Sequence, residues 1–401
     1  MRVLFISQEF PPETGWGGIG TYVDILSEAL AERGVDVHVL SVVEDQPPFT
    51  TRKGDVTVHR EPLPRLRGTR RLPPQAWRRA WLASRVVWLI RHLPWKPTVV
   101  EAPEWGAEGL GVALVGKVPL VVRLHSSARQ LFTYTRQGRE WRGLDGWLSA
   151  VLEEASARRA NVVVSTRSNL EEVAAQMGLH ERALHAIPYP IRLPRVSPMP
   201  NGSAPRVTFI GRLEPRKAPE VVLRAAPHVL AAVPDARFVF VGREAIAPGT
   251  PSSQAWLRGE AERLGVSESI EFTGQLSSDG VADQLRRATV GVFPSRWESF
   301  GNVVAEASAI GRPVVTSAIG PFLELVDDGV TGKIVRSEDP AAWGEALVEV
   351  LRDPELARMM GEAGAPHVAQ ISEPGRIAEL TLAAYEHAIE RWRCGKRATK
   401  P

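Results

Sequence analysis

The chain has 401 residues, enough for two domains of ordinary size, and its 44% apolar and 24% charged residues are typical of a globular protein. Its single cysteine, Cys394, excludes an internal disulfide, and its formal net charge of +3 is too small to predict a nucleic-acid partner. No run of residues approaches the roughly 20 apolar residues that a membrane-spanning helix needs, so an integral membrane protein is not expected.

The predicted strands of the first half are short apolar runs that alternate with amphipathic helical stretches. They lie at 2–7, 35–42, 56–60, 97–102, 119–125, 161–166 and 184–188. The first strand begins so early that a signal peptide has no room, and with one cysteine this predicts a cytoplasmic protein. Continuous apolar runs are typical of strands covered on both faces, as in parallel α/β domains.

Residues 189–205 contain five prolines and several turn residues, and they are predicted to be a linker. After them the strand pattern restarts, with runs at 206–211, 236–242, 269–274, 290–295 and 312–317. We therefore predict an α/β fold of two doubly wound domains. The predicted boundaries are 1–188 for the first domain, 206–373 for the second, and 374–401 for a C-terminal helix and tail that can cross back to the first.

A glycine-rich loop follows the first strand. Gly17 and Gly18 open a predicted helix whose apolar residues recur at helical spacing. Such glycines let a ligand approach the backbone, and the N–H groups at the helix start suit a phosphate. A plain flexible turn is the alternative, and the spacing does not match the dinucleotide-binding fingerprint.

Residues 65–96 carry eight arginines, one lysine and four tryptophans. Three of the tryptophans share one face of a predicted helix, with arginines beside it: Trp77, Trp81 and Trp88, flanked by Arg78, Arg79 and Arg85. A basic helix of this kind can lie on an anionic membrane, which would place the protein at the inner membrane face. Inward packing of the tryptophans, with solvated arginines, is the more common arrangement and the one that we expect.

Two cations follow the first strand of the second half. Arg212 stands at the predicted strand end and Lys217 near the start of the next helix, where they can bind an anion such as a phosphate. Arg216, between them, is predicted to be a solvated surface charge.

Glu298 and Glu306 lie eight residues apart in "WESFGNVVAEASAIGRPVV". Glu298 follows the predicted strand 290–295, where ligands of parallel sheets bind, and Glu306 lies inside an otherwise apolar helix that ends at Gly311. Carboxylates accept hydrogen bonds from vicinal hydroxyls, and the loop 299–302 offers backbone N–H groups. This segment predicts a site for a sugar or a ribose.

These segments resemble the family 4 retaining glycosyltransferases of GT-B fold. The two glutamates match their E-x7-E element, "GGIG" their N-terminal glycine loop, and "GRLEPRK" their diphosphate-binding segment. "ELVDDGVTGKIV" continues the C-terminal signature. The chain departs from the family at Ala218, where many members have glycine, and at "IPYPIR", which replaces a common asparagine-glycine turn.

The resemblance implies two Rossmann-like domains facing a central cleft, with the acceptor on the first and the donor on the second. In it Arg212 and Lys217 bind the donor diphosphate, Glu306 the ribose, and Glu298 the transferred sugar near His125. The implied catalytic residues are Arg212, Lys217, Glu298 and His125, and the implied donor-binding residues are Gly17, Gly18, Ser299, Phe300, Gly301, Asn302 and Glu306.

The implied reaction is retaining transfer of a sugar from a nucleoside-diphosphate sugar to an acceptor hydroxyl that the sequence does not identify. The leaving diphosphate would help to take the acceptor proton. No D-x-D motif is present, so we expect neither a metal site nor a bound cofactor. The alternatives are a nucleotide-sugar-binding protein without turnover, or another enzyme of this fold such as an epimerase or phosphorylase. A two-carboxylate hydrolase is a poor alternative because it would not need Arg212 and Lys217.

Overall fold

The computed structural model of the chain describes residues 1–14, 17–43, 46–62, 74–134, 144–179, 183–200, 204–244 and 252–398, and gives the backbone alone for 74–80, 145, 397 and 398. These residues divide into two compact units. Among the described residues, the first contains the chain up to Ile191 except Tyr134, together with the segment from Pro374 onward, and the second contains Tyr134 and Arg192–Glu373.

The first unit is built on a sheet that has eight strands among the described residues. The strands are β1 (Arg2–Ile6), β2 (Asp36–Val43), β3 (Phe49–Lys53), β4 (Val56–Pro62), β5 (Val99–Pro103), β6 (Leu120–Arg123), β7 (Val162–Ser165) and β8 (Leu184–Ala186). The helices are α1 (Gly18–Ala31), α2 (Pro74–His92), α3 (Leu110–Val115), α4 (Ala128–Tyr134), α5 (Leu144–Arg159) and α6 (Arg167–Val173). The order of the described strands is β3-β4-β2-β1-β5-β6-β7-β8, and among them only β3 runs antiparallel to its neighbour.

The second unit contains a six-stranded parallel sheet of order β11-β10-β9-β12-β13-β14 in the described part of the chain. Its strands are β9 (Arg206–Ile210), β10 (Arg237–Val241), β11 (Ile270–Gly274), β12 (Val290–Phe293), β13 (Val314–Ser317) and β14 (Gly332–Val335). Its helices are α7 (Pro219–Ala232), α8 (Ser253–Arg263), α9 (Ser278–Arg287), α10 (Asn302–Ala309), α11 (Gly320–Leu325), α12 (Pro340–Arg352) and α13 (Pro354–Ser372).

The prediction of an α/β fold with two parallel sheets is confirmed. Central strands are buried along their whole length, as β5, β6 and β12 show, because helices cover both faces of each sheet. Two strands were missed. β3 has an exposed middle and no apolar run, and β14 contributes only four residues at the sheet edge.

The final helix, α14 (Pro374–Ala398), belongs to the first unit. Tyr385, on its buried face, has no exposed surface, and its hydroxyl donates a 2.7 Å hydrogen bond to Glu101 in the middle of β5. His387 lies 2.8 Å from His185 of β8. These polar contacts anchor the last helix to the strands of the first sheet.

The tryptophans of residues 65–96 were expected to pack inward, and not all of them do. Trp81 and Trp95 pack against the apolar core that surrounds Val86, but Trp88 is 46% exposed and lies under the guanidinium of Arg85 at 4.2 Å. The side chains of Trp77, Arg78 and Arg79, and residues 65–73, lie outside the described part of the structure. Among the helices that the structure describes, none has an apolar stretch long enough to cross a bilayer.

Candidate functional site

Strand order places the predicted cations and Glu298 at one edge of the second sheet. Arg212 follows β9 and Glu298 follows β12, and these two strands are neighbours at the point where the order of the sheet reverses. Ligands of doubly wound sheets bind at the carboxyl ends of the strands at such a point. The local fold therefore brings residues more than 80 positions apart into one site.

Glu298 is the centre of this site. Its carboxylate is 9% exposed and contacts the ammonium of Lys217, while Arg216 donates a 3.1 Å hydrogen bond to Oε2. The Ser295 hydroxyl donates to Oε1 at 2.9 Å. Burial raises the pKa of Glu298, but the charges of Lys217 and Arg216 outweigh it and lower this pKa to about 2. Glu298 is thus a buried, ionised carboxylate at neutral pH.

The prediction for Arg216 was wrong. This side chain is 6% exposed rather than solvated, and it donates to Glu298, to the carbonyl of Trp297 at 3.0 Å, and to Glu214 at 2.7 and 3.0 Å. A guanidinium presents donors in several directions, so one arginine can join two buried carboxylates. Arg216 is part of the site.

Glu214 is a second buried carboxylate that sequence analysis missed. It is 4% exposed and also forms an ion pair of 3.1 Å with Arg212, whose side chain is 44% exposed. The sequence offers only its position inside "GRLEPRK" as a signal. The five charged groups form a continuous chain: Arg212, Glu214, Arg216, Glu298 and Lys217. Three cations face two carboxylates, so these five residues together retain one positive charge for an anionic ligand.

Glu306 lies on α10, beyond the loop that carries Glu298, and its side chain is half-buried. Burial raises the pKa of Glu306 to about 7, and the positive charge of Lys217 opposes this rise. The carboxyl group therefore changes its protonation state near neutral pH. That property distinguishes it from Glu298, which stays ionised.

The loop between the two glutamates depends on one glycine. Gly301 has a φ of 103°, and a Cβ built there would lie 2.5 Å from the ring of Phe322. Both conditions exclude a larger residue. The turn buries Phe300, which is 2% exposed, and starts α10 at Asn302, so that the backbone of Ser299–Asn302 leads into the helix N-terminus.

The family departure at Ala218 has a local explanation. Ala218 is the residue before α7, is fully buried, and has φ 50° and ψ 46°, in the left-handed region. Glycine adopts this conformation without the steric penalty of a Cβ, so the glycine expected from the family pattern would suit this position. Here alanine keeps the same turn and leaves Lys217 next to Glu298.

In the first unit, Gly17 precedes α1 as predicted, but an acidic residue shares its surroundings. Glu9 accepts a 3.3 Å hydrogen bond from the backbone N–H of Gly20, and a Cβ on Gly17 would lie 2.6 Å from the same carboxylate. This contact was not predicted, and it brings Glu9 to the helix start where Gly17 and Gly18 were expected to meet a phosphate.

His125 lies just after β6 in the first unit and is 3% exposed. Its backbone N–H donates to both carboxylate oxygens of Glu104 at 2.8 Å, and its Nδ1 lies 2.5 Å from the hydroxyl of Tyr189. The ring of Tyr22, on α1, packs edge-on at 5.1 Å. Burial, reinforced by the charge of Arg123, lowers the pKa of His125 well below its usual value, so the ring is neutral.

Comparison with known families and proteins bears on both units. The profile of "Glycosyl transferase 4-like domain" matches residues 17–190, and that of "Glycosyl transferases group 1" matches residues 195–367. A D-inositol 3-phosphate glycosyltransferase of Geodermatophilus obscurus is 30% identical over 96% of this chain and 88% of its own length.

Solved structures share the fold. Sucrose-phosphate synthase from Thermosynechococcus elongatus aligns with a TM-score of 0.78 and 22% identity, over 96% of this chain and 98% of that one. Anabaena Alr3699/HepE in complex with UDP-glucose aligns with a TM-score of 0.72 and 17% identity, over 96% and 100% of the two chains.

Proposed function

The chain belongs to the family 4 glycosyltransferases of GT-B fold, and we propose that it transfers a sugar from a nucleoside-diphosphate sugar to a hydroxyl acceptor with retention of anomeric configuration and without a metal ion. Glycosyl transfer from a nucleotide sugar is the function of this family, and neither the binding protein nor the epimerase or phosphorylase alternative is favoured. The observation that carries the proposal is the charged chain from Arg212 to Lys217 at the strand ends of the second sheet.

The donor diphosphate would lie against Arg212 and Lys217. Arg212 is the exposed end of this series of ion pairs, with 44% of its side chain accessible. Its guanidinium can bind two phosphate oxygens at once. Lys217 is 16% exposed and held at Glu298, so it is positioned before the ligand arrives. Glu306 would accept hydrogen bonds from the ribose hydroxyls, as expected of a half-buried carboxylate on the adjacent helix.

Glu298 would orient the transferred sugar. A carboxylate has about four acceptor positions. Lys217 and Ser295 occupy two on Oε1, and Arg216 occupies one on Oε2. Among the residues that the structure describes, no further donor occupies Oε2, so one position remains there for a sugar hydroxyl, and the three fixed donors hold the carboxylate in a single orientation.

The proposed chemistry breaks the bond between the sugar C1 and the terminal diphosphate oxygen, and the bonding electrons leave with the diphosphate. Negative charge develops on that oxygen, and preorganised cations stabilise it in the transition state more than in the ground state. The acceptor oxygen attacks C1 from the same face, and its proton passes to the leaving phosphate oxygen. Arg212 and Lys217 would supply most of the stabilisation.

A donor panel tests the proposal. UDP-, GDP-, ADP- and dTDP-sugars are incubated with the full chain, and nucleotide release is measured with and without acceptor. UDP-glucose is the first donor because a structural neighbour was solved with it, and D-inositol 3-phosphate is the first acceptor because of the relative's name. Acceptor-dependent release and an α-product from an α-donor support the proposal. An inverted product, or no acceptor-dependent release with any donor, overturns it.

Activity is expected to persist when divalent cations are removed. Arg212 and Lys217 already place positive charge at the strand ends, so a metal ion is not needed to neutralise the diphosphate. Turnover should change less than about twofold when excess EDTA is added and the protein is then dialysed. Loss of turnover with EDTA and its return with Mg²⁺ or Mn²⁺ would contradict this expectation.

Contact with an anionic membrane through residues 65–96 is a second proposal, supported by the exposed Trp88 beside Arg85. Binding to vesicles that contain anionic lipid should fall with salt, since each basic residue near such a surface contributes about 1 kcal/mol. Trp88→Ala should weaken co-sedimentation. Trp256→Ala is the matched control, because Trp256 is 49% exposed and also lies under an arginine, Arg224. The absence of binding at low salt would overturn the proposal.

A further inference from the structure

Tyr189 is a buried residue that contacts the ring of His125. It is 3% exposed, its ring lies 5.3 Å from the imidazole at 77°, and its hydroxyl lies 2.5 Å from Nδ1. Tyr189 belongs to "IPYPIR", the segment in which this chain departs from the asparagine-glycine turn of its family. The hydroxyl is therefore a feature of this chain that the family resemblance did not predict.

The direction of this hydrogen bond follows from the charges around it. A neutral imidazole has one nitrogen that donates and one that accepts. The guanidinium of Arg123 lies over the ring of Tyr189 at 4.7 Å and over the ring of Tyr22 at 4.6 Å. A cation beside a phenol makes its O–H a stronger donor, and it disfavours a proton on the neighbouring Nδ1. The hydroxyl of Tyr189 therefore donates, and Nδ1 of His125 accepts.

We propose that Tyr189 is a positioning residue that holds His125 as the tautomer with its proton on Nε2. The proposal rests on the proposed function and on the family resemblance, which implies that His125 lies near the transferred sugar, and it assigns His125 a definite chemical role. It offers the sugar an N–H donor and does not act as a base. Donor sugars with a hydroxyl oxygen at that position would be preferred over their deoxy analogues.

The tautomer can be measured without turnover. In the full chain labelled with ¹⁵N-histidine, the His125 resonances are assigned by their loss in His125→Gln, and we expect Nε2 protonated and Nδ1 unprotonated near neutral pH. Tyr189→Phe should produce a mixture of the two tautomers. A proton on Nδ1 in the unaltered chain, or an unchanged spectrum in Tyr189→Phe, overturns the proposal.

Tyr22→Phe is the matched control. Tyr22 is 1% exposed and its ring is also 5.1 Å from His125, but its hydroxyl donates to Glu101 at 2.8 Å. Removal of this hydroxyl changes the buried polar surroundings without touching Nδ1, so the tautomer should stay the same. If Tyr22→Phe gives as large a mixture of tautomers as Tyr189→Phe, the effect comes from looser packing around His125. That result would overturn the role of Tyr189.

Steady-state kinetics distinguish a positioning role of Tyr189 from a role in packing alone. For Tyr189→Phe we expect kcat to fall about tenfold while the donor KM stays within about twofold, because small losses of alignment act on the transition state. A changed tautomer with normal kcat would overturn the positioning role. If the unaltered chain transfers no sugar, the proposed function fails, and the NMR result still decides the tautomer independently.

Discussion

Lys217→Ala is expected to lower kcat by about 10²–10³-fold, with a smaller change in donor KM. Lys217 is the cation at the inner end of the charged chain, and it is held against Glu298 before any ligand binds. The negative charge that develops on the leaving diphosphate would lose a preorganised partner. Arg212→Ala should also lower kcat, because in the proposal its exposed guanidinium would bind the same diphosphate.

The control for Lys217 is Lys333→Ala. Lys333 lies near the start of β14 in the same unit and also forms an ion pair, of 2.8 Å with Glu349, but β14 is separated from β12 by β13. Its replacement should leave turnover within about twofold, because a surface ion pair contributes little. Thermal unfolding is measured for each variant. A folded Lys217→Ala protein with near-normal kcat would sink the diphosphate assignment.

Lys217→Ala also has a predictable effect on Glu298. The low pKa of this carboxylate is maintained against burial mainly by Lys217 and then by Arg216. Loss of one cation leaves a buried charge less compensated. The double variant Lys217→Ala/Glu298→Gln should therefore be more stable than Lys217→Ala alone while its turnover stays low. This combination separates the structural role of the ion pair from its role in catalysis.

The buried strands could be predicted from the sequence more fully than the candidate site. Buried parallel strands carry their own signal, since an apolar run such as "RVLFI" is sufficient to locate β1. The antiparallel edge strand β3 reads FTTRK and is exposed along its middle, so its pairing with β4 depends on a neighbour and not on its own residues. Whether an edge segment of this kind forms a strand depends on its tertiary contacts.

Among the charged residues, positions at a strand end or on the adjoining helix led to the prediction of Arg212, Lys217, Glu298 and Glu306. The structure joins the first three through one set of ion pairs. Spacing could not show that Arg216 points inward, since arginine is usually exposed and its partners Glu214 and Glu298 are two and 82 positions away. Burial of the arginine requires both carboxylates at once. That condition becomes visible only when β9 and β12 are placed side by side.

The hydrogen bond between Tyr189 and His125 illustrates the same limit across 64 positions. In the sequence, Tyr189 stands out only as a departure from a common turn, and His125 only as a histidine at a strand end. Their contact arises because the chain after β8 returns past the end of β6. A residue that departs from a family pattern can therefore acquire its role from the neighbour it meets in the fold.

The affinity for the donor is expected to fall as pH decreases through about 7, and Glu306→Gln should abolish this dependence. Burial raises the pKa of Glu306 to about 7, so the group is a carboxylate above this value and a carboxylic acid below it. In the proposed assignment the ionised form would accept hydrogen bonds from both ribose hydroxyls, and such charge-assisted bonds contribute about 1.5–3 kcal/mol, or roughly 10–100-fold in affinity. Donor binding should in turn lower the pKa of Glu306.

The measurement is calorimetric titration with an intact nucleotide sugar, whose diphosphate does not titrate near neutral pH. Glu306→Gln should bind more weakly at pH 8 and with little change at pH 6, and Glu345→Gln, on an exposed position of α12, should follow the unaltered chain. Because Lys217 opposes the rise in the pKa of Glu306, Lys217→Ala should move the midpoint to higher pH. A donor affinity that is equal at both pH values in the unaltered chain, or unaffected by Glu306→Gln at pH 8, would contradict the ribose assignment.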